Sequence, residues 1–168
     1  MHLCDKTIVD IGGGYGDLLV ELKSRIPTAG ACICLDLPDV IDDAKSTSND
    51  EESTVEVMLV AGDMFDHRTI PKCDVIFTKH VLCDFSDEDV VRALRSFHQV
   101  LSSSGKLVIM DAVLPNEHDL NCKWNPAVSF DVLLMLSGRR GERSRLEWSN
   151  LALNAGFVLL MKLSQPRQ

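Results

Sequence analysis

A chain of 168 residues, 45% of them hydrophobic, is long enough for one domain, residues 1–168, with a real core. Its net charge of −8 argues against a surface for nucleic acid or for an anionic membrane. No apolar run approaches the ~20 residues that span a bilayer, and no basic-then-apolar leader opens the chain.

Strand-like and helical patterns alternate along the chain. Thr7–Ile11 reads as a strand, followed by a glycine turn and an amphipathic helix over Asp17–Ile26. Ala31–Leu35 is a second strand and Pro38–Lys45 a second helix. The polar run Lys45–Thr54 is a surface loop. Val55–Ala61 and Asp74–Thr78 are strands three and four. Ser86, followed by Glu88 and Asp89, starts a helix over Asp87–Leu101, and Ser102 to Gly105 turns the chain into a strand over Lys106–Asp111. Helices over Val128–Ser137 and Arg145–Ala155, then a strand over Phe157–Leu163, complete the pattern. Such alternation predicts an α/β fold, a doubly wound and mostly parallel sheet with helices on both faces.

In such sheets ligands sit beyond the carboxyl ends of the strands. The polar residues of interest fall there: Asp10 to Gly16, Asp36 and Leu37, Asp63 and Met64, Lys79 to Asp84, and Asp111. Glycines let the backbone approach a ligand closely, and the helix start behind them offers free N–H groups. The dinucleotide spacing G-x-G-x-x-G fails, because its third glycine would fall on Asp17, which disfavours a nicotinamide-dependent dehydrogenase. The spacing that fits is acid-x-G-x-G-x-G, Asp10, Gly12, Gly14 and Gly16, with Gly13 between; it resembles the signature loop of S-adenosylmethionine (SAM) methyltransferases. A carboxylate at Asp10 can hold the ammonium of the methionine end. Asp36, ending the second strand, stands where this fold binds ribose hydroxyls. Asp63 can accept from an adenine amino group, and Met64 offers a polarizable surface to a flat ring.

Read together, Val9-Asp10-Ile11-Gly12-Gly13-Gly14-Tyr15-Gly16, Asp36-Leu37-Pro38-Asp39-Val40-Ile41, Gly62-Asp63-Met64-Phe65, Phe77-Thr78-Lys79, Asp84-Phe85-Ser86-Asp87, Leu114-Pro115 and Gly141-Glu142-Arg143 leading to Ala155-Gly156-Phe157 resemble the plant-type small-molecule O-methyltransferases. These are the caffeate and hydroxyindole enzymes, with a Rossmann-like class I SAM methyltransferase fold. The resemblance covers nearly the whole chain. It implies that the glycine loop, Asp36 and Leu37 bind SAM, that Asp63 and Met64 flank its adenine, and that Lys79 contacts it. It also implies a small hydroxylated, aromatic substrate and a homodimer.

The pattern breaks in two places. The family's general-base histidine stands directly before Asp84, where this chain has Cys83. A thiol has an unperturbed pKa of ~8.5, and neighbouring acids raise it, so it is a poor base near neutrality. The two acids that orient that histidine map to Asp111 and Glu142, and either could act as a weak base itself. His80 is a further candidate, placed on one face with Cys83 if the segment is helical, although it occupies a packing position of the family. Catalysis is therefore expected from Cys83, Asp84, Asp111 and Glu142; the alternative is a degenerate SAM-binding module without catalysis. Second, the helical N-terminal dimerisation domain and the last antiparallel strand of the sheet are expected to be missing. Val128 to Leu136 would line the pocket or a dimer face, or, for its Met and Phe, pack into the core. The six cysteines match no zinc spacing and read as reduced thiols of a cytosolic protein, so no metal is expected.

Overall fold

A computed structural model describes residues 3–47, 56–115 and 126–158. Its framework is a parallel sheet of β1 (Ile8–Ile11), β2 (Cys32–Asp36), β3 (Met58–Ala61), β4 (Cys73–Lys79) and β5 (Leu101–Met110), in the order β3-β2-β1-β4-β5. The strands alternate with α1 (Asp17–Arg25), α2 (Pro38–Thr47) and α3 (Asp87–Val100), as the sequence pattern requires.

The central strands are near-continuous apolar runs because both of their faces are covered. Alternation along each strand then divides the core. Ile8, Cys32, Cys34, Val75 and Phe77 face Leu19 of α1. Val9, Ile11, Ile33, Leu35 and Ile76 face Val90, Leu94 and Phe97 of α3, and Trp148 and Leu151 of α5 (Arg145–Asn154). Ser86 caps α3 by accepting from the Asp89 N–H at 3.2 Å. Ser144 and Glu147 form a reciprocal capping box at the start of α5.

The run Ser102–Gly105 lies within β5 and bulges out of register. Cys73 pairs with Leu101 and Val75 already with Lys106, so four residues are looped out opposite Asp74. The chain thus turns there, as expected, without leaving the strand. Beyond β5, β6 (Val113–Leu114) and β7 (Arg143–Ser144) form a separate parallel ladder that periodicity does not announce, because each strand is two residues long. The ladder matters for the site: β6 starts two residues after Asp111 and β7 one residue after Glu142.

The helix expected over Val128–Ser137 is α4 (Pro126–Leu136). Its residues face outward more than core packing predicts, with Phe130 and Met135 exposed and Leu134 buried. A helix apolar on all sides can bury only one stripe against its neighbours, here on the side of β6. The segment 48–55 lies outside the described residues, and with it most of the expected polar loop and Val55. Cys122 and most of the strand expected over Phe157–Leu163 lie outside them as well, as does the question of a last antiparallel strand. Phe157 itself closes α5 by donating its N–H to Ala152 O at 2.8 Å.

Candidate active site

The sheet order reverses between β1 and β4, and the loops leaving these two strands meet there. Gly12 sits at φ +72°, and a β-carbon on it would lie 2.5 Å from Val81 Cγ2. A β-carbon on Gly13 would lie 2.8 Å from both Asp10 Oδ2 and Cys34 Sγ. Gly14 differs: its φ of +57° favours glycine, but an added β-carbon would have nothing within 4 Å among the described residues. The loop is therefore pressed down at Gly12 and Gly13 and open above Gly14.

Asp10 is only 2% exposed beneath this loop, and its Oδ1 has no hydrogen-bond partner among the described residues. Burial pushes its carboxyl up to about 6, with Asp36 adding to the rise and Lys79 opposing it. Asp36 is held at both oxygens, Oδ2 by the Gly14 N–H and Oδ1 by the Leu37 N–H, each at 2.8 Å. Each carboxylate oxygen retains a second lone pair for a ligand hydroxyl.

A cleft of about 280 Å³ opens beside the loop. Gly12, Asp36, Leu37, Gly62, Asp63 and Met64 line it, with Ile11, Leu35, Phe65, Val81 and Phe85 as its apolar walls. The structure thus unites Gly12, Asp36, Leu37, Asp63 and Met64, which lie far apart in sequence. Asp10, Gly13, Gly14 and Lys79 are not part of that lining and belong to the loop side of the site. One oxygen of Asp63, Oδ1, accepts from the Phe65 N–H at 2.8 Å, so this residue also shapes its own turn.

A second cluster lies at the end of β4. Cys83 Sγ, a carboxylate oxygen of Asp111 and one of Glu142 all lie within 4.8 Å of one another. Cys83 and Glu142 are buried, at 2% and 1% exposure. Asp111 Oδ1 accepts from the His80 N–H at 2.8 Å, whereas Asp111 Oδ2 and both Glu142 oxygens have no hydrogen-bond partner among the described residues. Burial, reinforced by the neighbouring acids, pushes the Cys83 thiol up to about 12 and the Glu142 carboxyl up to about 7, and raises Asp111. A thiol so placed stays protonated at neutral pH.

Two further expected residues border this cluster. Asp84 Oδ1 accepts from the Cys83 thiol at 3.8 Å and from Arg139 Nη1 at 2.9 Å. His80 does not share a helical face with Cys83, because it has a left-handed φ of +54° and precedes the short 3-10 turn Leu82–Asp84. Its exposed ring packs edge-on against Phe130.

Sequence reasoning missed what holds the cluster together. Arg143 is fully buried. It donates to Leu82 O at 2.9 Å and Phe85 O at 2.7 Å, and pairs with Asp87 Oδ1 at 2.8 Å. Both sides of Cys83 are thereby pinned to β7. The Gly141 N–H adds a bond to Cys83 O at 3.1 Å. The one signal in the sequence was an arginine beside Gly141 and Glu142.

Against known proteins, residues 4–158 match the family model described as "O-methyltransferase domain". The chain is 35% identical over 153 residues to a caffeic acid 3-O-methyltransferase of Medicago sativa, covering 90% of this chain and 39% of that protein. It therefore spans well under half the length of that relative. Among solved structures it is similar to CalO1, a methyltransferase in calicheamicin biosynthesis in SAH-bound form, with a TM-score of 0.78 and 26% identity, covering 93% of this chain and 44% of that one. It is equally similar in shape to a structure described as a pericyclic reaction enzyme, with a TM-score of 0.78 and 25% identity, covering 94% of this chain and 39% of that one. The fold therefore does not decide the chemistry by itself.

Proposed function

Because the chain belongs to the O-methyltransferase domain family, we propose that it is the SAM-dependent catalytic domain, over residues 1–168, of an enzyme that methylates a hydroxyl of a small aromatic molecule. The observation that carries this reading is the cleft where Gly12, Asp36, Leu37, Asp63 and Met64 meet at the reversal of the sheet. Its features fit the cofactor: an unpartnered buried Asp10 oxygen for an ammonium, a pre-held Asp36 carboxylate for a diol, and an open loop above Gly14. When bound, SAM supplies a methyl group activated on a sulfonium. Asp10, Gly13, Gly14 and Lys79 would hold its methionine end; Gly12, Asp36, Leu37, Asp63 and Met64 would hold its adenosine.

The hydroxyl must lose its proton as it is methylated. Cys83, held protonated, is not the base. Asp111 and Glu142 are the acceptors beside it, and Asp84 serves the site by holding Arg139. Relatives named as O-methyltransferases lend no support to a non-catalytic module. The charge balance disfavours nucleic-acid partners, and no described helix is long and apolar enough to cross a membrane. Five free cysteines among the described residues fit a cytoplasmic location, and the exposed apolar side of α4 fits a dimer.

The test is calorimetry with SAM, followed by methylation assays on a panel of phenols. SAM binding is expected, with Asp36→Ala weakening it about tenfold or more through loss of a charged hydrogen-bond acceptor. Binding with no methylated product from any phenol would overturn the enzymatic reading. Cys83→His, which restores an imidazole next to Asp111 and Glu142, is expected to raise turnover by about tenfold or more. Unchanged turnover would mean that the base is not what limits the rate.

A further inference from the structure

We propose that Cys83, Asp111 and Glu142 form a binding site for a divalent transition-metal ion of the zinc type. The three donors come from the turn after β4, the end of β5 and the start of β7, so no spacing in the sequence could reveal them. A thiolate and two carboxylates are a donor set that zinc accepts, and three protein ligands leave a fourth position for a substrate oxygen.

Two features set this cluster apart from a chance meeting of acids. Glu142 is 1% exposed and neither of its oxygens has a hydrogen-bond partner among the described residues; Asp111 Oδ2 is orphaned in the same way. Buried polar atoms normally have partners, and each one left without costs about 1–3 kcal/mol. A cation bound between them would satisfy Asp111 Oδ2 and one oxygen of Glu142 together. Binding releases the Cys83 thiol proton to solvent, and the dication offsets two of the three negative charges that the thiolate and two carboxylates then carry.

The donors lie within 4.8 Å of one another. A tetrahedral zinc with bonds of about 2.0–2.3 Å sets its donors about 3.5 Å apart. Closing the remaining distance takes side-chain rotation, for which Glu142 has three torsions.

The role of such an ion rests on the methyl-transfer reading. Coordination at the open position lowers the pKa of a substrate hydroxyl. Its O–H bond then breaks with the electron pair left on oxygen and the proton passing to solvent; no redox change occurs. With the ion bound, Asp111 and Glu142 serve as its ligands in place of the proton-accepting role they have without it, and the metal does the work for which the family uses a histidine.

Cobalt(II), titrated into the chelator-treated full chain, tests the site without requiring activity. Uptake of one ion per chain, with thiolate-to-cobalt charge-transfer absorption in the near ultraviolet, is expected. Cys83→Ser should abolish that absorption, and Glu142→Gln should weaken uptake about tenfold or more. Cys83→His, an alternative ligand, should retain uptake and lose the band. Calorimetry with S-adenosylhomocysteine on the same samples reports whether each variant is folded. No stoichiometric uptake by the parent chain, or a band that survives Cys83→Ser, would overturn the site. A chain that takes up cobalt but methylates no phenol sinks the enzymatic reading and leaves the site standing. A chain that methylates at full rate after chelation and takes up no cobalt does the reverse.

Discussion

Arg143→Met is expected to cost about 2–5 kcal/mol of folding stability, because it leaves the Leu82 and Phe85 carbonyls without their donor, at about 1–3 kcal/mol each. The guanidinium is fully buried and serves three acceptors, the Leu82 and Phe85 carbonyls and Asp87. Methionine keeps much of the volume, so the loss reports on charge and hydrogen bonding rather than on a cavity. Asp87 is half-exposed and can rehydrate. The two carbonyls cannot do so as readily, and they account for much of the cost. Domains are stable by only about 5–15 kcal/mol, so the change takes a large share of the total. Urea denaturation measures it as a lower midpoint. Arg143→Lys should fall between the two, since an ammonium cannot reach all three acceptors in the planar fork. A midpoint unchanged in Arg143→Met would mean that the turn around Cys83 is held by other contacts.

Asp10→Asn is expected to move stability and binding in opposite directions. Burial raises the Asp10 carboxyl from 3.8 to about 6 in the folded chain. A folded-state pKa above the unfolded one means that the folded chain holds this proton more tightly. The associated stability is fully present below about pH 4 and is lost as pH rises through about 6. Near neutrality the ionised carboxylate therefore costs the chain about 3 kcal/mol at most, at ~1.4 kcal/mol per pKa unit. Asparagine carries no charge, so the variant without cofactor should be more stable by about 1–3 kcal/mol at pH 7.5, and the difference should shrink toward pH 4. The same change removes the carboxylate assigned to the cofactor's ammonium, and affinity for SAM should drop about tenfold to a hundredfold. Thermal melts from pH 4 to 8, with calorimetry, check both halves. A variant no more stable than the parent at pH 7.5 would show that burial does not strain Asp10.

The readable parts of this fold were those where one physical cause acts over many residues. β1, β2 and β4 are covered on both faces and so appear as near-continuous apolar runs. Ser86 announced α3 because an N-cap has a local chemistry. Gly12, Asp36 and the Asp63-Met64 pair could be placed because a doubly wound sheet gathers the ends of its strands on one rim. The unreadable parts depend on contacts distant in sequence. The β6–β7 ladder joins Val113 to Arg143 with no periodicity to betray it, yet it brings Glu142 beside Asp111. Arg143 looks like any surface arginine until the carbonyls of Leu82 and Phe85 are seen to need it. His80 looked helical with Cys83 because three-residue spacing suggests a shared face, whereas its left-handed backbone breaks that geometry.

The close approach of Gly12 to Val81 puts the two halves of the site in direct contact. Val81 occupies the space where Gly12 would carry a β-carbon, and it stands two residues ahead of Cys83. Were a ligand on the cleft side to shift Val81, the turn carrying Cys83 would shift with it, and linkage would make each ligand change the other's affinity by the same factor.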